Sequence, residues 1–296
     1  MADFTAADLP DLGGRTAIVT GANSGVGRAT AQALAAAGAR VVLAVRDTGK
    51  GRAAADTITG ATEVRRLDLA DLASVRAFAA AWTGPIDLLV NNAGISVPQR
   101  RRTADGFELQ FATNHLGPFA LTNLLLEHVT DRVVNLASQA ERMGRLDLDD
   151  PDGDRRPYRA SAAYNRSKLA NLLFTAELQR RLDAAGSKVR ALAAHPGLVR
   201  SEIYTETGAA TRLLVRLLGQ SPAAGALPVL YAAVADLPGD SFTGPSRFAH
   251  MRGAPELINR SATARDADLA ARLWTLSERL TGTHFPLGRQ ISTGTV

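Results

Sequence analysis

The chain runs to 296 residues, 46% hydrophobic and 21% charged, a balance that excludes wholesale disorder and collagen-like repeats and allows one large or two small domains. It has no cysteine, which excludes disulfides, thiolate catalysis, Cys-zinc sites and Cys-ligated iron–sulfur clusters. The net charge of +5 comes from 34 basic against 29 acidic residues; apart from Arg100, Arg101 and Arg102 the cations are scattered, so a solvated basic face is expected rather than a nucleic-acid surface.

The first residues, MADFTAADLPDLGG, are acidic and lack an apolar stretch. No apolar run approaches the ~18 residues that span a bilayer, so no secretory signal, no membrane insertion and a cytoplasmic location are expected. Residues 15–20 (RTAIVT) read as a buried strand, 27–38 as a helix and 41–45 (VVLAV) as a second strand. A third strand is expected at 64–67, then a helix at 72–82 and a fourth strand at 86–90 (IDLLV). A long helix is expected over 107–129, a fifth strand at 132–136 (RVVNL), a helix at 164–184 and a sixth strand at 189–194 (VRALAA). An amphipathic helix closes the pattern at 266–280. Alternating helices and nearly all-apolar strands predict an α/β fold: a doubly wound, Rossmann-like parallel sheet, ligands bound beyond the carboxyl ends of its strands. A single domain over 1–296 is expected, with its core at about 14–250 and a substrate lid at about 201–222. In the lid, Leu213, Leu214, Val215, Leu217 and Leu218 either line an apolar pocket or pack on the body or a subunit interface.

The first strand runs into Gly21, Ala22, Asn23, Ser24, Gly25, Val26 and Gly27, a G-x-x-x-G-x-G turn before a helix. Such glycines serve a tight turn, a close backbone approach to a pyrophosphate, and helix–strand contact. The helix N-terminus offers unpaired N–H groups to phosphates, and no Gly-Lys-Ser/Thr follows, which excludes a P-loop. At the end of the second strand stands Arg46, then Asp47, with Arg28 just after the glycine turn. The arginines favour a ribose 2′-phosphate and hence NADP(H); Asp47 keeps NAD(H) open, and a plain surface arginine is the remaining reading.

Tyr164 and Lys168 lie four apart on a predicted helix and so share a face. An ammonium there favours the tyrosinate and eases proton transfer at a carbonyl oxygen. Ser138 ends the fifth strand, as a turn former or as a hydrogen-bond donor to substrate. Asn91, Asn92, Ala93 and Gly94 follow the fourth strand, as an Asn-rich turn or as a wall beside an adenosine. Asn114 falls inside a helical pattern that disfavours it, at a kink or simply exposed. Pro196 and Gly197 read as a turn after the sixth strand, with Ser201 just beyond. His115 and His195 are expected to be structural. The acidic turn 147–154 lacks the Glu of a calcium loop and reads as solvated, and no metal site is expected.

In order, TGANSGVG, LDLAD, NNAG, Asn114, Ser138, YNRSK and HPGLVRS resemble the short-chain dehydrogenase/reductase family over residues 14–244. The resemblance implies a catalytic tetrad of Asn114, Ser138, Tyr164 and Lys168, with Asn114 holding a water that links Lys168 to solvent. It implies that Asp68 and Leu69 flank the adenine, that Asn91, Ala93 and Gly94 support the nucleotide, and that Val199 and Ser201 hold the nicotinamide carboxamide. The segments LAVRD, ATNHLGPFALTNLLL and AYNRSKLANLLFTAEL are similar to the branch of retinol dehydrogenases, WW-domain oxidoreductases and protochlorophyllide reductases. That implies NADP(H) and a small-molecule substrate, a bulky apolar alcohol or carbonyl. It also implies self-association, as a homodimer or homotetramer through long helices. The rival readings are a non-catalytic NADP(H) sensor and a nucleotide-sugar epimerase, whose larger C-terminal domain this chain does not match.

Overall fold

The computed structural model describes residues 3–200 and 219–288. Strand β1 (Thr16–Thr20) feeds α1 (Gly25–Ala36), then β2 (Arg40–Val45), α2 (Thr48–Ala55), β3 (Thr62–Arg66), α3 (Leu72–Ala80) and β4 (Ile86–Asn91). Next come α4 (Leu109–Phe111), a π-helical turn at Ala112–Leu116, α5 (Gly117–Leu125), β5 (Val129–Leu136), α6 (Ala160–Ala184) and β6 (Arg190–Ala194). The second described stretch holds α7 (Pro222–Val234), the hairpin β7 (Phe242–Arg247) and β8 (Arg252–Leu257), and α8 (Ala267–Thr281).

The strands form one eight-stranded sheet in the order β3-β2-β1-β4-β5-β6-β7-β8. All neighbours are parallel except the edge pair β7 and β8. The six predicted strands and the doubly wound order are present; β7, parallel to β6, and the antiparallel edge strand β8 are additions to them. The chain leaves β1 toward β2 and β3, then returns to place β4 on β1's other side. That reversal opens a crevice at the carboxyl ends of β1 and β4.

Alternation along the strands sends their apolar side chains to both faces. Ala17 and Val19 of β1 join α1 and α7 through Val26, Leu34, Val229 and Leu230. Ile18 between them faces the other layer, with Val75 of α3, Phe119 of α5 and Phe174 of α6. Trp274 of α8 is nearly inaccessible and packs onto Phe119 and Phe174 at ring-centre distances of 4.9 and 5.8 Å. β7 pairs with β6 only at Ala193–Phe242 and Ala194–Thr243. The β7–β8 hairpin therefore extends beyond the carboxyl edge, beside the crevice.

The basic run does not form a free cationic patch. Arg100 and Arg102 pair with Asp154, and Arg102 also with Asp152 at 3.3 Å, so the acidic turn neutralises them. Among the described residues no helix is long and apolar enough to cross a membrane.

Candidate active site

A cleft of about 730 Å³ lies at the carboxyl edge of the sheet. Its floor is the turn between β1 and α1, where Gly21, Asn23, Ser24, Gly25, Val26 and Gly27 all line it. Gly21 and Gly25 have φ of +65° and +55°, which fold the chain sharply back into the helix. Gly27 serves a close approach instead, since a Cβ there would stand 2.3 Å from Asn92 Nδ2 and 2.6 Å from the Gly21 carbonyl oxygen. Asn92 uses that space to donate to the Thr20 carbonyl at 2.8 Å, and Ala93 N–H donates to Thr20 Oγ1 at 3.0 Å. The end of β4 thus fastens the glycine turn, and α1 meets the cleft with its first N–H groups.

At one end, Arg46, Asp47, Lys50, Asp68 and Leu69 line the cleft. Asp47 is the N-cap of α2, and its Oδ1 accepts from Lys50 N–H at 3.0 Å. That backbone hydrogen bond holds the Asp47 carboxyl below its ordinary range. One of its oxygens thus serves the helix, while Asp47, Arg46 and Lys50 all line this end of the cleft. Asp68 Oδ1 accepts from Ala70 N–H at 3.0 Å, and Asp68 N–H donates to Ser74 Oγ at 3.0 Å, which shapes the floor after β3.

At the other end, Ser138, Tyr164 and Lys168 line the same cleft as Gly94, Ile95 and Val97. Lys168 is deeply buried, and loss of hydration pulls its ammonium down to about 8. Its Nζ donates to the Leu136 carbonyl at 2.9 Å and stands 5.6 Å from the centre of the Tyr164 ring. The helical spacing has thus put phenol and ammonium on one face, turned to the cleft. Ser138 forms the turn expected of it, its Oγ accepting from Ala140 N–H at 3.2 Å at the head of a 3₁₀ turn, and it also lines the cleft. At the end of β6, Pro196, Gly197 and Val199 complete the wall.

Residues 15–212 match the family model described as short chain dehydrogenase. The chain belongs to the short-chain dehydrogenases. Human retinol dehydrogenase 13 is 43% identical, over 94% of this chain and 87% of that one. Mouse polyprenol dehydrogenase is 41% identical, over 95% and 88%. A crystal structure of an uncharacterised protein from Mycobacterium paratuberculosis has 54% identity and a TM-score of 0.86, covering 96% of this chain and all of that one. A Beutenbergia cavernae dehydrogenase with NADP bound at low occupancy has 29% identity and a TM-score of 0.58, over 76% and 91%. This short-chain dehydrogenase is therefore similar to the retinol dehydrogenase branch. It is an oxidoreductase that moves hydride between a nicotinamide dinucleotide and an alcohol or carbonyl. The residues present fit such a cofactor: a helix N-terminus opens on the cleft, cations stand at one end, and the volume suits a dinucleotide.

Several expected site residues of the dehydrogenase sit elsewhere. Arg28 is exposed on α1 and does not line the cleft. The Asn91 side chain is buried beneath the cleft, donating to Thr122 Oγ1 at 2.9 Å and Asn135 Oδ1 at 2.8 Å; it bolts β4 to its neighbours, and Asn92 is the residue that meets the glycine turn. Asn114 is wholly buried in the π turn. Its amide donates to the Ile95 carbonyl at 3.0 Å and Ser167 Oγ at 2.9 Å, and its Oδ1 accepts from Ile95 N–H at 2.8 Å. Both amide hydrogens are therefore spent on protein, which ties the π turn to α6 beside Lys168. Ser201 and the lid leucines lie outside the described residues.

His115 packs among Phe111, Phe119 and Phe174, and burial pushes its imidazole down to about 3. His195 is likewise buried and pushed down to about 3, behind Pro196. Both stay neutral and stand off the cleft, as the sequence implied. Lys50, Ile95, Ser96, Val97 and Thr113 are lining residues that sequence reasoning passed over, and Asn92 is read from the sequence only as part of its turn. Asn92 stood in the quoted NNAG motif; Lys50 carried no pattern until α2 brought it to the mouth.

Proposed function

We propose that this dehydrogenase uses NADP(H) to interconvert bulky apolar alcohols with their aldehydes or ketones, with Tyr164 exchanging the proton. The observation that carries the reading is the meeting of Ser138, Tyr164 and Lys168 with the glycine turn in one cleft. When bound, the dinucleotide supplies or accepts the hydride. Ser138 Oγ–H donates to the substrate oxygen and orients it. The Tyr164 hydroxyl gives that oxygen a proton in reduction and takes it back in oxidation. The Lys168 ammonium favours the tyrosinate electrostatically. Asn114 ties the π turn to α6, with its Oδ1 close to the Lys168 ammonium behind Gly94. Arg46 and Lys50 support a 2′-phosphate at the ribose, two cations against the single carboxylate of Asp47, one oxygen of which caps α2. Ile95, Val97 and Val199 give the lining an apolar part, and the names of the relatives, retinol and polyprenol dehydrogenases, fit that class of substrate.

The test is NADPH oxidation with retinoid, long-chain aldehyde and steroid carbonyls. Tyr164→Phe is expected to bind NADPH within about twofold of the parent but to turn over about 10³-fold more slowly. Arg46→Asp is expected to weaken NADPH about tenfold and leave NADH unchanged or improved. Turnover retained by Tyr164→Phe removes the phenol from the chemistry. Tight NADPH binding with no carbonyl reduced supports a sensor instead.

A further inference from the structure

We infer that Gln220 is a positioning residue for the nicotinamide end of the cleft, an inference that rests on the reading of the segment after β6 as part of the cofactor site. Pro196, Gly197 and Val199 line the cleft without belonging to any strand or helix. Something else must fix them. Gln220 Nε2 donates to the Pro196 carbonyl at 2.7 Å. The Gln220 backbone donates to the Leu198 carbonyl at 2.8 Å and accepts from Arg200 N–H at 3.0 Å, so Val199 and Gln220 form an isolated parallel bridge. From the hairpin side, the Met251 carbonyl accepts from Leu198 N–H at 3.1 Å. One residue therefore holds the segment at three successive points, and the hairpin tip holds a fourth.

The local sequence is shaped to admit this clasp. Gly197 has φ of +75°, and a Cβ there would fall 2.8 Å from Gln220 Nε2 and 2.5 Å from the Met251 carbonyl oxygen. Gly225 of α7 gives room on the next side: its Cβ would meet Val199 Cγ2 at 2.4 Å. Ser221 caps α7 by accepting from Ala224 N–H at 3.2 Å, which fixes Gln220 at the head of a rigid helix. Gln220 is itself buried, at 8% exposure. Two of its three bonds come from the backbone and survive substitution. The side-chain amide is the replaceable one, and without it the part-buried Pro196 carbonyl loses the hydrogen bond that ties it to α7. The segment is then free to shift where the nicotinamide amide must be met.

The experiment measures two dissociation constants by calorimetry: NADPH, and 2′,5′-ADP, which has the adenosine end and no nicotinamide. Gln220→Ala is expected to weaken NADPH about tenfold while 2′,5′-ADP stays within about twofold. Gln220→Glu keeps the shape but turns a lone pair toward the Pro196 carbonyl, and the same selective loss is expected; it carries the test if the alanine variant does not fold. Unchanged NADPH affinity overturns the inference. Equal weakening of both ligands also overturns it, since that is general damage. A parent enzyme that binds NADPH no better than 2′,5′-ADP overturns the underlying cofactor reading instead.

Discussion

Lys168 shows what the site costs at the level of one residue. Burial holds its ammonium at about 8, against 10.5 for an ordinary lysine. Below about 8 both folded and unfolded chains carry the proton, and the folded chain bears the whole burial cost. Between about 8 and 10.5 only the unfolded chain binds the proton. Stability therefore rises with pH across that window, the sign required when the unfolded state holds more protons. Urea unfolding of Lys168→Met and the parent checks this. The variant is expected to be the more stable at about pH 7, with the advantage shrinking toward pH 10.5. A gap that does not change with pH would show that Lys168 is not the titrating group. On the proposed mechanism that cost is offset by function, since the ammonium stands 5.6 Å from the centre of the Tyr164 ring.

The glycine turn is an element with one tolerance. Gly27→Ala must displace Asn92 from the Thr20 carbonyl or lift α1 from the end of β4, since its Cβ would lie 2.3 Å from Asn92 Nδ2. The expected result is a loss of about 1–3 kcal/mol by denaturant melt and at least about a tenfold loss of NADPH affinity. An unperturbed variant would mean that Asn92 does not hold the turn. The elements hidden from sequence reasoning share a cause with this one, in that contacts rather than periodicity define them. Helix α2, TGKGRAAA, has no apolar stripe; its Gly51 is small because Val45 and Val64 lie where a Cβ would go, at 2.6 and 2.7 Å. Strand β8, RGAPEL, has a proline and a glycine and does not alternate, as an edge strand tolerates. Helix α7 carries Pro222 at its start and Pro228 inside. The helix expected over 107–129 is present without a break over residues 109–128, but it changes type along its length, with a π turn where Asn114 bonds to Ile95. Conversely, the β1 turn, the Tyr164–Lys168 face and Ser138 were legible because strand ends and helical spacing alone bring them to one edge.

At the scale of the whole molecule, α8 decides which surfaces remain free. The resemblance implied association through the long helices, yet α8 lies against α5 and α6 within the chain. Asp266 caps it, accepting from Leu269 N–H at 2.9 Å, and Gly282 ends it at φ of +64°. Between these limits Leu273, Trp274 and Leu276 are buried. Trp274 also takes Phe285 at 6.0 Å and the Arg181 guanidinium at 4.4 Å. An apolar surface so covered is not available to a second copy, and light scattering at micromolar concentration is expected to give the mass of a monomer. Trp274→Ala should cost about 3–5 kcal/mol by denaturant melt and produce concentration-dependent association, because it opens the face of Phe119 and Phe174. Trp274→Phe keeps the ring contacts and discards an indole N–H with no acceptor among the described residues, so it should stay monomeric and lose far less. A dimer formed by the parent chain with α8 in place would show that another surface carries assembly.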